Sequence, residues 1–353
     1  MKDAESTDAS LAAAEPQDPT SIAPPKPMPK NSWHPPLLLY AVYLFCIATV
    51  MYLTGVLMVF PRYMGGMETF TPISEWLVWY SGMPMFFSLV LASIDLFIMF
   101  ERKRGGTVRE VDIGDGRVTV ALTAYNDEEA IGPAVEDFIA HPKVARVIVV
   151  SNNSKDRTFE EAEKAGAIVF NELVPGYGSC VWRCFSEALK FDDTDLVVLC
   201  EGDRTFRAYD IDKLLAYAPH ADVVNGTRTV EKLRQNETQL TTFMFYGNVF
   251  VGKLLEAKHL GRGTITDVGT TYKLCHRSAL DGLMPYLDRR VNLSFNAHFL
   301  DRVMGLGLSI VECPITFHGR VGLSKGGNTS NVRALSVGLE MIRGITFGWQ
   351  PRR

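Results

Sequence analysis

Residues 118–129 read VTVALTAYNDEE: an apolar, β-branched run from Val118 to Ala124 that breaks into the polar turn Tyr125-Asn126-Asp127-Glu128. A short continuous apolar run bounded by turn residues predicts a strand buried on both faces. The pattern recurs along the chain. Arg146 to Ser151, Asp195 to Cys200 and Ala221 to Gly226 read as further buried parallel strands, and Glu129 to Ala140 and Ser179 to Lys190 as helices between them. Strands alternating with helices imply βαβ units and a doubly wound, mostly parallel α/β sheet, whose ligands bind at the carboxyl ends of the strands. Function is therefore to be sought at those ends.

Upstream of this domain the composition changes twice. Residues 1–36 hold eight prolines with many Ala, Ser and Asp and no hydrophobic period, which predicts a disordered tail. Leu37 to Phe60 carries no charge and is long enough to span a hydrocarbon core of about 30 Å. A second apolar stretch runs from Trp76 to Phe100, broken by Pro84, with Asp95 near its end where a carboxylate reaches the interface. Lys26 and Lys30 precede the first span and Arg102, Lys103 and Arg104 follow the second, whereas the connection holds Arg62 beside Glu68 and Glu75. Basic flanks stay on the cytoplasmic side. The expected organisation is thus a tail (1–36), a two-helix transmembrane hairpin (37–104), a cytoplasmic catalytic domain (105–330) and an amphipathic C-terminal segment (331–353). That makes the chain an integral membrane protein with the bilayer as a partner.

The balance of 36 Lys+Arg against 40 Asp+Glu excludes binding to nucleic acid by bulk positive charge. The six cysteines form no C-x-x-C pair and read as reduced, buried small hydrophobes. No G-x-x-x-x-G-K-S/T, G-x-G-x-x-G or H-E-x-x-H occurs, which removes the usual ATPase, dinucleotide and zinc-protease readings. His276, His298 and His318 have no ligand-like spacing.

The strand ends themselves are polar and acidic: Thr123 to Glu128, Ser151 to Asp156, Glu201-Gly202-Asp203 and Gly226-Thr227-Arg228. Two carboxylates flanking a glycine after a buried strand suit a hard divalent cation, which can neutralise a diphosphate leaving group.

Taken in order, these segments resemble the family 2 glycosyltransferases, and within them the dolichol-phosphate mannosyltransferase-like enzymes. Thr123 to Glu128 is similar to that family's P-x-Y-N-E turn, and Ser151 to Asp156 with Thr158 stands where D-D-G-S-x-D-x-T is usual. Gly176-Tyr177-Gly178-Ser179 resembles its G-x-G-x turn, Glu201-Gly202-Asp203 its D-x-D, Gly226-Thr227-Arg228 its G-S-R, and Asp267 to Leu274 its D-x-T-S-G-F-R-L. Glu312 to Phe317, then Arg320 and Gly322 to Lys325, resemble E-V-P-I-x-F followed by R-x-x-G-x-S-K. The departures are Ser151-Asn152 in place of two acids, Glu201 in place of the first aspartate, and one residue fewer between Arg320 and Gly322.

The resemblance implies a GT-A type fold and an inverting transfer of a sugar from a nucleotide-sugar donor to a polyprenyl phosphate. It assigns Mg²⁺ or Mn²⁺ to Asp203 and Glu201, and the donor to Ala124, Tyr125, Asn126, Glu128, Asn152, Ser154, Gly176, Gly178 and Gly202. The acceptor phosphate falls to Arg228, Arg320, Ser324 and Lys325, with Asp203, Asp267 and Arg228 as the catalytic set. An ionised phosphate needs cations rather than a base. A hydroxyl acceptor on a lipid-linked saccharide would need one, and Asp267 is then the candidate. Because Glu201 and Asn152 depart from the pattern, a catalytically silent membrane scaffold is the third reading. The sugar, nucleotide and lipid chain are left open, as is a homo-oligomer.

Overall fold

The opening run forms β1 (Val118–Ala124), buried along its whole length. The computed structural model describes residues 22–29, 35–65, 68–99, 108–235, 238–322 and 330–349; the expected site residues Ser324 and Lys325, and the basic flank Arg102 to Arg104, lie outside these. Two helical stretches, Leu37–Gly65 and Thr71–Met99, are long and apolar enough to cross a bilayer. They comprise α1 (Leu37–Leu57), α2 (Val59–Gly65), α3 (Thr71–Tyr80) and α4 (Gly82–Ser93), the last continued by a π-helical turn.

Small and hydroxylic residues let these helices approach. Ser74 Oγ donates to Gly55 O and Ser88 Oγ to Ala41 O, both at 2.8 Å, and a Cβ on Gly55 would come within 2.8 Å of Val78. Asp95, near the end of the second apolar stretch, is buried and accepts the Leu38 N–H at 2.7 Å, at the start of the first. It satisfies one of the orphan donors at the start of α1, a sound use of a carboxylate at a helix N-terminus.

The domain then alternates: α5 (Glu128–Ile139), β2 (Val144–Ser151), α6 (Thr158–Lys164), β3 (Ile168–Asn171), α7 (Tyr177–Ala188), β4 (Leu196–Glu201), α8 (Ile211–Tyr217), β5 (Val223–Thr227) and α9 (Thr242–Lys258). It continues through β6 (Lys273–His276), α10 (Arg277–Leu283), α11 (Phe295–Gly305), β7 (Ile310–Pro314) and α12 (Asn331–Phe347). The sheet order is β3-β2-β1-β4-β6-β5-β7. All pairings are parallel except those of β6, which runs antiparallel to β4 and β5. This is the doubly wound, mostly parallel sheet that the alternation predicts, of the GT-A type that the resemblance implies.

The reversed strand matters for the site. Lys273 pairs with Leu199, near the carboxyl end of β4, so the segment 267–272 that leads into β6 lies at the same end as Glu201 and Asp203.

On the other side, α12 packs against α9 and α11, and α9 packs against α1. Tyr43 of α1 and Thr346 of α12 share a hydroxyl–hydroxyl bond of 2.6 Å. Residues 22–29, within the tail expected to be disordered, lie extended along the domain, with the Lys26 N–H donated to Pro285 O at 2.8 Å.

Candidate functional site

A cavity of about 930 Å³ opens at the carboxyl ends of the strands. Eight of the expected residues line it: Ala124, Tyr125, Asn152, Gly176, Glu201, Asp203, Arg228 and Arg320. Asn126, Glu128, Ser154, Gly178, Gly202 and Asp267 are not part of that lining.

The acids lie at the end of β4. Asp203 is buried; its Oδ1 accepts Thr205 N–H (3.0 Å) and Oγ–H (2.6 Å), which leaves Oδ2 facing Arg320 Nη1 at 3.3 Å. Arg320 also donates from Nη2 to Asp127 Oδ1 at 3.0 Å. Glu201 accepts the Thr271 hydroxyl at 2.7 Å. Burial, and then the charge of Asp203, push the Glu201 carboxyl up to about 7.

Among the described residues no three His, Cys, Asp or Glu converge into a closed metal cage. What the donor set does fit is a hard cation that takes two carboxylate oxygens and completes its shell from a diphosphate and water. The guanidinium of Arg320 already occupies a position against Asp203 that demands positive charge.

Arg228 and Asp267 form a buried, bidentate pair. Arg228 Nε donates to Oδ2 at 2.7 Å and Nη2 to Oδ1 at 2.8 Å, and the Arg228 and Gly269 N–H groups also point at the carboxylate, each at 3.1 Å. Burial alone would raise the Asp267 pKa, but Arg228 and these bonds hold it below the usual range. A carboxylate with four N–H donors, outside the cavity lining, is a poor general base. It aims Arg228, whose guanidinium also lies 5.1 Å from the centre of the Phe317 ring. Glu312, in β7, in turn accepts the N–H groups of Thr266 (2.8 Å) and Asp267 (3.1 Å), so the family-like motif in β7 buttresses the Asp267 loop.

The first two βα loops are bonded to one another. Asn126 N–H donates to Ser154 Oγ (3.0 Å), Asn126 Oδ1 accepts Lys155 N–H (2.7 Å), and Glu128 accepts Arg157 N–H (3.2 Å). Asn126 and Asn153 adopt left-handed backbone conformations, which asparagine tolerates. Gly178, in the first turn of α7, is needed for packing: a Cβ there would fall 1.8 Å from Val291 O.

Asn152 lines the cavity, yet its amide serves the backbone. Nδ2 donates to Val174 O (2.8 Å) and Glu172 O (3.3 Å), and Oδ1 accepts Gly176 N–H (2.9 Å). Replacing it with aspartate sets a carboxylate against two carbonyls, which costs about 1–3 kcal/mol. Asn152→Asp is therefore expected to lower the thermal midpoint and to weaken all nucleotide diphosphates together. A changed ranking among them, measured by thermal shift, would place Asn152 against the base.

The cavity also has residues to which the motifs assigned no role. Asp127, Asn153, Lys155 and Tyr177, from within the motifs, and Asn248, Asn292 and Asn296, from outside them, line its polar end. From there it runs between α9 and α12, along Phe243, Tyr246, Phe250, Leu335, Leu339 and Ile342. Several of these large apolar side chains are exposed, among them Phe243, Tyr246, Phe250, Leu335 and Leu339. The C-terminal helix thus packs on the domain and still presents apolar surface.

Comparison with known proteins agrees with this architecture. Residues 119–284 match the family model described as Glycosyl transferase family 2. An uncharacterized glycosyltransferase of Mycobacterium tuberculosis is 32% identical over 207 residues, 58% of this chain and 87% of that protein. A dolichyl-phosphate hexose transferase of Haloferax volcanii is 29% identical over 209 residues, 59% of this chain and 86% of that protein. Among solved structures, a glucosyl-3-phosphoglycerate synthase from M. tuberculosis in complex with Mn²⁺, uridine diphosphate and glucosyl-3-phosphoglycerate superposes with a TM-score of 0.49 at 17% identity. That superposition covers 70% of this chain and 86% of the synthase. With the matched stretch running from β1 into α10 and the strand-end acids in place, the chain belongs to glycosyltransferase family 2.

Proposed function

We propose that this glycosyltransferase moves a sugar from a nucleotide-sugar donor to a polyprenyl phosphate, inverting the anomeric centre, from a domain anchored by the α1–α4 hairpin. The observation that carries the reading is the continuity of one cavity from the Glu201–Asp203 acids to an apolar trough between α9 and α12, with α9 packed on α1. A site that joins a charged end to an apolar groove beside a candidate membrane span suits an acceptor with an ionised head and an isoprenoid chain. The Haloferax relative named as a dolichyl-phosphate hexose transferase points the same way.

The carboxylates support a phosphate rather than a hydroxyl. Those lining the described part of the cavity are Asp127, Glu201 and Asp203, and each is engaged with Arg320 or Thr271. Asp267, the candidate base, is spent on Arg228. A lipid phosphate needs no base, because its oxygen is already ionised near neutral pH. It needs cations: Arg228 and Arg320 would hold the two phosphates close enough for the acceptor oxygen to attack the anomeric carbon as the diphosphate leaves. Asp203 and Glu201 would hold a Mg²⁺ or Mn²⁺, which supplies charge neutralisation of the leaving diphosphate when bound.

The basic flanks of the hairpin would set the catalytic domain on the cytoplasmic side. The test gives the full-length protein a radiolabelled nucleotide sugar with either a polyprenyl phosphate or the matching dephosphorylated alcohol. Transfer to the phosphate alone is expected; equal transfer to both would sink the reading.

A further inference from the structure

Behind Glu201 a chain of side chains runs into the core, and the direction of every hydrogen bond in it is fixed by its two ends. Lys273 is buried at the start of β6, where its Nζ donates to Thr270 O (2.8 Å), Thr271 O (3.2 Å) and Asn296 Oδ1 (3.1 Å). An ammonium has donors only, so the amide oxygen of Asn296 must be the atom that faces it. That orientation turns Asn296 Nδ2 toward the Tyr177 hydroxyl, 3.1 Å away. At the far end Glu201, in the ionised form that a cation requires, only accepts, so the single hydroxyl proton of Thr271 is then committed to it at 2.7 Å. The Tyr177 proton must then go to Thr271 Oγ1, at 2.5 Å.

The outcome is one unidirectional relay: Lys273 to Asn296, Asn296 to Tyr177, Tyr177 to Thr271, Thr271 to Glu201. Aligned hydrogen bonds in a low-dielectric interior polarise one another, and the last donor gains most from the ammonium at the other end.

Resting on the metal reading above, we infer that Lys273, Asn296 and Tyr177 are positioning residues that act through Thr271 to hold the Glu201 carboxyl group aimed for the divalent cation. None of the three was marked as a site residue from the sequence. They come from α7, α11 and β6, and the reversed direction of β6 is what delivers both Thr271 and Lys273 to this place.

The test measures the affinity of the full-length protein in detergent for Mn²⁺ alone, by the loss of the free-ion paramagnetic resonance signal, together with the metal-free thermal midpoint. Tyr177→Phe keeps the ring and removes the relay's central hydroxyl. It is expected to weaken Mn²⁺ binding about tenfold, the scale on which groups that orient a ligand act, and Lys273→Arg, which keeps a charged donor, should restore most of what Lys273→Met loses. The decisive comparison adds Tyr177→Phe to Glu201→Gln, where no further weakening is expected.

If Glu201→Gln weakens Mn²⁺ binding and Tyr177→Phe does not, the relay is overturned and the metal site stands. Equal additional weakening by Tyr177→Phe in the Glu201→Gln background would likewise overturn it. If neither Asp203→Asn nor Glu201→Gln changes Mn²⁺ binding, the metal site and the relay both fall.

Discussion

On the proposed reaction, Asp203→Ala is expected to lower turnover about a thousandfold, because a cation that offset the charge of a leaving diphosphate would be worth about 4 kcal/mol in the transition state. Asp203 is the acid best placed to hold it: its Oδ1 is committed to Thr205, and its Oδ2 faces a cation, the Arg320 guanidinium. The fold should survive. The substitution removes two bonds within a tight turn, about 1 kcal/mol each, whereas the bond from Val321 N–H to the Asp203 carbonyl is a backbone contact and stays. Asp203→Asn keeps the turn's acceptor and removes the charge, so it should lose nearly as much activity with a wild-type thermal midpoint. Wild-type turnover that still requires a divalent ion would mean that the metal binds elsewhere.

Arg320→Ala should divide the two substrates. If, as proposed, Arg320 holds the acceptor phosphate, losing that charge-assisted contact is expected to weaken acceptor use by about 1.5–3 kcal/mol, roughly 10- to 150-fold, while donor binding changes less. The position of Arg320 adds a second expectation. Its guanidinium bridges Asp127 and Asp203, so it competes with a cation for Asp203 Oδ2. Mn²⁺ binding in the absence of nucleotide should therefore tighten in the alanine variant even as transfer falls. A parallel loss of Mn²⁺ binding and acceptor use would show that Arg320 holds the acids in place instead of contending for them. Titrations of Mn²⁺ and of polyprenyl phosphate on the same preparation decide between the two.

Much of the fold was legible in the residues. Buried parallel strands are continuous apolar runs, and β1, β2, β4 and β5 each have one, so their places were readable to within about two residues. The order of the polar turns after them marked Glu201, Asp203, Arg228 and Arg320, which the structure brings into one cavity. The apolar stretches that became α1 to α4 were equally plain, since length without charge is a local property. Strands β3 and β6 span four residues each, and β6 opens on a lysine. A run that short has too few positions for any period to show.

The roles inside the site were settled by neighbours far along the chain. Asn152 stands where an acid usually lies and was assigned to the donor by resemblance, and the backbone of residues 172–176 claims its amide. Asp267 looked like a base until Arg228, 39 residues away, was found on both of its oxygens. Asp95 gave no sign in the sequence of the Leu38 N–H that it accepts at the start of α1. In each case the residue type was compatible with either role, and the choice lay with the partner that the packed chain supplied.

The sequence by itself thus determined the layers, the family and the acids of the site, because apolar runs and ordered turn motifs are written in neighbouring residues. Only the tertiary structure decided that β6 runs backwards, that Thr271 therefore meets Glu201 with Lys273 close behind it, and that α9 and α12 flank an apolar trough that joins the acids. The physical reason is that hydrogen-bond direction, desolvation and ion pairing depend on groups brought together across tens to hundreds of residues, and no local pattern encodes which of them will meet.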